Sequence, residues 1–97
     1  MYKLVSTNQA EKDSVTLERA GLKKKAVSLL RTIRQNPYKT PPSLEKLKGC
    51  EDTYSRRINI QHRLVYQILP NRDNEKDVNG VPYQGIIKLL RMWTHYE

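Results

Sequence analysis

The sequence of 97 residues holds a single cysteine, Cys50. That excludes an intramolecular disulfide and any cysteine-rich zinc cage, and it points to a reducing cytoplasm. Apolar runs are short as well. None approaches the ~18–20 residues that a membrane span requires, and no signal peptide is expected at the start, so no membrane partner is expected. The apolar fraction is only 37%, yet Leu, Ile and Val are numerous enough to argue against wholesale disorder. A phosphate-cradling glycine loop, a His-x-x-x-His pair, a Cys/His ligand spacing and a Gly-x-Ser-x-Gly elbow are all missing. Metal-dependent and nucleotide-dependent chemistry therefore have little support, and no cofactor is expected. A chain of this length supports one domain, residues 1–97, with a shallow groove and no deep cleft between domains.

Acidic residues are missing from one long stretch. The formal charge is +8, and Leu22 to Leu44 carries Lys23, Lys24, Lys25, Arg31, Arg34 and Lys39 with no acid at all. Charge this one-sided fits either a polyanionic partner, nucleic acid foremost, or a solvated, soluble face.

Periodicity divides the chain into a strand, two helices, a long loop and three further strands. Tyr2 to Val5 reads as the first strand, and the hydroxyl of Ser6 or Thr7 can cap the helix that follows. Ala10, Ser14, Leu17 and Gly21 form a narrow stripe on that helix. Leu22, Ala26, Leu29, Leu30 and Ile33 give the second helix a clear apolar face, and Pro37 forces it to end. Asn36 to Thr53 reads as an irregular crossing, in which residues 43–47 make one helical turn at most. Tyr54 to Ile60 and Arg63 to Leu69 form a hairpin that turns near Gln61 and His62. Arg56 and Arg57 are neighbours, so they point to opposite faces of the strand, and parity leaves open which one faces the groove. Asn79-Gly80 reverses the chain within the polar stretch Asn71–Pro82. Ile86 to Trp93 is apolar on both sides, as a central, covered strand is. Tyr66 and Trp93 are expected in the core, and Cys50 is expected to be an ordinary loop thiol.

The remaining side chains suit metal-free cleavage of a phosphodiester: Glu45, His62, Arg63 and His95, with tyrosines. Such a reaction needs a group to take the 2′-OH proton, a group to protonate the leaving 5′-oxygen, and positive charge at the phosphate. Glu and His suit the proton transfers and Arg suits the third role, although most basic domains own such residues.

Glu45-Lys46-Leu47-Lys48, Tyr54-Ser55-Arg56-Arg57-Ile58, His62-Arg63-Leu64-Val65-Tyr66 and His95-Tyr96 together resemble the Txe/YoeB family of RelE-type toxins. Order and spacing match from about Asn36 onward, while the first 35 residues share the strand–helix–helix plan. The family differs in usually having Pro where Lys46 stands, Trp where Tyr54 stands, a shorter turn than Pro70–Pro82, and no residue beyond the one matched by Tyr96. The resemblance implies an α+β, RelE-like fold: a twisted, mostly antiparallel sheet with two N-terminal helices on one face. It implies a bacterial, ribosome-dependent endoribonuclease that cuts mRNA in the A site without a metal and is held inactive by an antitoxin. By the same resemblance Glu45 is the general base, Arg63 stabilises the cleaved phosphate, His95 is the general acid, and Tyr96 positions substrate. Lys48, Arg57 and His62 match positions that contact RNA or support the site. Lys23 and Lys24 would grip rRNA or receive an acidic antitoxin segment. The implied partners are a cognate YefM/Axe-like antitoxin and the 70S ribosome with its rRNA and A-site mRNA; self-association as a homodimer is left open. The alternative is a non-catalytic, ParE-like toxin that binds a protein target such as gyrase.

Overall fold

The structure, a computed structural model, describes residues 1–40, 44–49, 51–59 and 62–92. The expectations for Cys50, Gln61, Trp93, His95 and Tyr96 lie outside the described residues.

The chain opens with strand β1 (Lys3–Ser6), followed by helix α1 (Asn8–Arg19) and helix α2 (Lys23–Gln35). Of Ser6 and Thr7, the two caps the sequence offers, Thr7 takes the role: its side-chain oxygen accepts from the Ala10 N–H at 3.1 Å, satisfying one of the unpaired donors of the first turn. The helix stops at Arg19, and Gly21 takes a φ of +75° to turn the chain into α2. Such a left-handed conformation is costly for any residue with a Cβ. At the other end α2 stops before Pro37, and its last turn is tied to the sheet by a bond from the Tyr2 N–H to the Arg34 carbonyl at 2.8 Å.

Four further strands follow: β2 (Glu45–Lys46), β3 (Thr53–Arg57), β4 (Arg63–Leu69) and β5 (Ile86–Arg91). Among the described residues the five strands form one sheet in the order β1-β5-β4-β3-β2. The β1–β5 pairing is parallel and the other three are antiparallel. The fold is thus the α+β, mostly antiparallel arrangement that the sequence implies. Cross-strand partners share a face, so the register sorts the side chains. Leu4, Ile87, Leu89, Ile68, Tyr66, Leu64, Arg56 and Tyr54 fall on one face. That face packs against Ala10, Leu17, Ala26 and Ile33 of the helices to form the core. Glu45, Ser55, Arg57, Arg63 and Val65 fall on the other face.

Several details depart from the expected ones. Residues 45 and 46 extend as the edge strand β2 instead of joining a helical turn, because pairing Glu45 with Ser55 and Lys46 with Tyr54 satisfies their backbone groups in the ladder. On α1 the buried position is Asp13, 3% exposed, and Ser14 points outward to bond the Glu11 carbonyl. The helices cover only one face of β5, leaving Ile86, Lys88 and Leu90 half-buried on the other. β3 ends at Arg57, three residues before the expected Ile60. The stretch between β4 and β5 turns at Asn79-Gly80 as predicted. It also has its own framework: the Asn71 side chain donates to the carbonyls of Glu75 and Tyr83, and Asp77 Oδ1 accepts from the Asn79 and Val81 N–H groups.

Asp13 ties α1 to the end of β5. Its Oδ2 accepts from Arg91 Nε at 2.8 Å and from the Met92 N–H at 3.0 Å, and Gln9 donates to its Oδ1 at 3.0 Å. Burial pushes the Asp13 carboxyl up, but the hydrogen bonds from Arg91, Met92 and Gln9 outweigh it and hold the group below its ordinary value.

Candidate active site

β2, β3 and β4 bring the candidate site together. Glu45 is on edge strand β2, directly opposite Ser55 of β3, and Arg63 opens β4 opposite Arg57. The period-2 alternation of each strand turns these four side chains to the face away from the helices. Arg63 reaches diagonally across that face, so that its Nη1 donates to Glu45 Oε2 at 2.6 Å and to Ser55 Oγ at 3.2 Å. Glu45 is largely exposed, with 63% of its side-chain surface accessible, whereas Arg63 retains 22%. The carboxylate therefore remains open to an incoming group while the guanidinium is held from behind. Leu44, Glu45, Arg57 and Arg63 line an open depression of about 440 Å³.

The structure resolves the parity of the Arg56–Arg57 pair. Arg57 is exposed beside Glu45 and Arg63, and Arg56 is fully buried on the helix side. There Arg56 Nε donates to the Tyr66 hydroxyl at 3.0 Å and its Nη2 donates to the Pro37 carbonyl at 3.0 Å. The Tyr66 hydroxyl donates to the same carbonyl at 2.8 Å. Burial pushes the Tyr66 hydroxyl up, offset in part by Arg56, and so it stays a donor. Tyr66 is thus a core residue, stacked on Tyr54 at 6.1 Å between ring centroids.

His62 does not sit at an exposed tip. It is 8% exposed, its carbonyl accepts from the Ile58 and Asn59 N–H groups, and its own N–H donates to Asn59 Oδ1 at 2.7 Å. Those bonds close the turn that delivers Arg63 to the site. Lys48 is exposed and lines a separate depression with Lys46, Leu47, Gly49 and Glu51. Lys23 and Lys24 sit on α2, across the sheet from Glu45 and Arg63, beside Val27, Ser28 and Arg31 in a broad cleft of about 770 Å³. Lys23 also meets Glu18 at 3.5 Å. Ser55 is the site residue that sequence reasoning missed. Its signal was its strand parity, which it shares with Arg57 and not with Arg56.

Among the described residues no helix is long and apolar enough to cross a membrane. No group of three or more His, Cys, Asp or Glu among them is arranged to hold a metal ion.

Two helices on one face of a mixed sheet, with a carboxylate and arginines gathered on the other, define a RelE-like α+β protein. The family described as the YoeB-like toxin of bacterial type II toxin–antitoxin systems matches residues 9–96, and the chain belongs to that family. Solved structures agree. The chain is similar to the YoeB/ParE toxin from Agrobacterium tumefaciens, with TM-score 0.75 and 26% identity over 97% of this chain and 99% of that one. It is similar to the YoeB of the Staphylococcus aureus YoeB dimer, with TM-score 0.73 and 29% identity over 98% of each chain. The match to a chain of the S. aureus YoeB–YefM complex has TM-score 0.68 and 30% identity over 99% of each. A comparison with curated proteins finds no match.

Proposed function

We propose that residues 1–97 act as one toxin domain, a metal-independent endoribonuclease that cuts mRNA in the A site of the bacterial ribosome. The observation that supports this reading is the direct contact of Glu45 with Arg63, 2.6 Å apart beside Arg57 on an open sheet face. A carboxylate and a guanidinium so placed can serve one phosphodiester between them. Glu45 takes the proton from the 2′-OH, and the freed oxygen attacks the adjacent phosphorus. Arg63, with Arg57, neutralises the charge that gathers on the phosphate oxygens. His95 gives a proton to the departing 5′-oxygen, and Tyr96 positions the phosphate. The products are a 2′,3′-cyclic phosphate and a 5′-OH. In the free protein Arg63 is paired with Glu45; a bound phosphate offers it a second anion and leaves the carboxylate available to the 2′-OH.

Lys48 and Arg57 hold the RNA, and His62 supports the site by closing the turn before Arg63. Lys23 and Lys24 dock on rRNA, where phosphate contacts supply affinity that falls with salt. A YefM/Axe-like antitoxin is the cognate inhibitor, and self-association follows the S. aureus relative described as a YoeB dimer. The protein works in the cytoplasm, where ribosomes are.

Primer extension on translating mRNA after induction tests this function. Wild-type protein should give codon-positioned cuts near start sites. Glu45→Ala and His95→Ala should each lower cleavage by about 10²–10⁴-fold, as loss of a general base or acid does. If both variants cut like wild type, the assignment fails. Toxicity without any cut would favour a ParE-like binder of a protein target.

A further inference from the structure

Ser55 lies at the centre of the proposed site, though neither of the two proton transfers involves it. Its side chain is fully buried at 0% exposure, opposite Glu45 on one side and Val65 on the other. It faces the depression side of the sheet, and Arg63 Nη1 donates to its hydroxyl oxygen at 3.2 Å. The same nitrogen donates to Glu45 at 2.6 Å. The two acceptors differ in kind. Glu45 is an exposed side chain on a two-residue edge strand, free to swing toward a substrate hydroxyl. Ser55 is packed inside a strand paired on both sides and cannot follow.

We propose that Ser55 is a positioning residue: its hydroxyl holds the Arg63 guanidinium in place when Glu45 turns from Arg63 to the substrate. This rests on the roles given above to Glu45 and Arg63. Without the hydroxyl, Arg63 has, among the described residues, only Glu45 to hold it on the site face and follows the carboxylate. Base and clamp then stay paired with each other instead of engaging one phosphodiester. The hydroxyl adds no chemistry of its own; it separates two groups that attract each other. A displacement of about 1 Å at a charged group is enough to slow a preorganised site substantially.

The test is cleavage of mRNA on programmed ribosomes, measured over a range of ribosome concentrations for wild type, Ser55→Ala and Ser55→Cys. The thiol is somewhat larger than the hydroxyl, so it fills the site, but it is a weak acceptor. Both variants should lose about tenfold in kcat, the loss expected for one hydrogen bond to a charged group, with the half-saturating ribosome concentration unchanged. Recovery of the wild-type kcat by Ser55→Cys would show that packing and not the hydroxyl matters, and would overturn the proposal. So would a wild-type kcat in Ser55→Ala, or a change confined to half-saturation. If Ser55→Ala fails to fold, Ser55→Cys carries the measurement, because it leaves no cavity. Glu45→Ala is run alongside. Wild-type cutting by that variant defeats the reading of the site itself, whereas an inactive Glu45→Ala with normal Ser55 variants defeats only the role of Ser55.

Discussion

Replacing Asp13 tests how much of the stability is held where α1 meets the end of β5. Asp13→Ala removes the acceptor of the buried Met92 N–H, 3.0 Å away. A buried donor left without a partner costs about 1–3 kcal/mol. The Arg91 side chain is 39% exposed, against 5% for Asp13. Arg91 is hydrated enough to tolerate the loss of Asp13, so the ion pair adds only about 0–1 kcal/mol. The expected loss is about 2–3 kcal/mol, which for a domain of this size lowers Tm by about 4–8 °C per kcal/mol. Asp13→Asn keeps the shape and one acceptor oxygen and loses the charge, so about 1–2 kcal/mol is expected. The pH dependence distinguishes the charge from the shape. The Asp13 carboxyl is held below its ordinary value. Its stabilisation is therefore fully present above the unfolded value near ~4 and disappears as pH falls through the lower folded value. Urea melts from neutral pH down to ~2.5 should show the gap between wild type and Asp13→Asn shrinking below about pH 4. A gap under ~0.5 kcal/mol at neutral pH, or one that stays constant in acid, would refute the reasoning.

Tyr66→Phe should cost about 1–3 kcal/mol in chemical denaturation, because the Pro37 carbonyl loses a donor and the buried Arg56 loses an acceptor. Gly85→Ala should cost about 1–3 kcal/mol by overpacking, since an added Cβ would come within 2.8 Å of the Tyr2 ring and 2.9 Å of the Leu69 carbonyl. Thr7→Ala removes the cap of α1 and should lower stability by about 1 kcal/mol in the same assay. Lys23→Glu with Lys24→Glu should raise the ribosome concentration needed for half-maximal cleavage, and the salt dependence of that concentration should become shallower as phosphate contacts are lost.

Local signals were legible wherever neighbours in sequence are neighbours in space. The apolar spacing of Ala26 and Ile33, the stop before Pro37 and the Asn79-Gly80 reversal all depend on a few adjacent residues, and all stand in the structure. The hairpin of β3 and β4 was legible for the same reason, although the burial of His62 was not. The His62 backbone is bonded to Ile58 and Asn59 in a turn that no hydropathy pattern encodes. The β2 strand escaped notice because two residues carry no periodicity; only pairing with Tyr54 and Ser55 makes them extended. Asp13 drew no notice in the sequence because its partner Arg91 is 78 residues away. For the site, residue types and the family resemblance marked Glu45 and Arg63. That they touch depends on the register of three strands, which a sequence does not display. Ser55 was overlooked for that reason, as a small polar residue between louder neighbours.

The pairing of β1 with β5 also governs the order in which the molecule can complete itself. β1 is made well before its neighbour in the sheet: the Thr7 hydroxyl bonds the Leu90 carbonyl 83 residues further along the chain. Until β5 is made, β1 has no strand to pair with, and β4 has an open edge where β5 will lie. The β2–β3–β4 segment bearing Glu45 and Arg63 is made before the strand that joins it to the helices. Vectorial synthesis thus leaves β1 without its partner until β5 is made, and a nascent chain stalled before β5 cannot join β1 to the sheet on which its site is built.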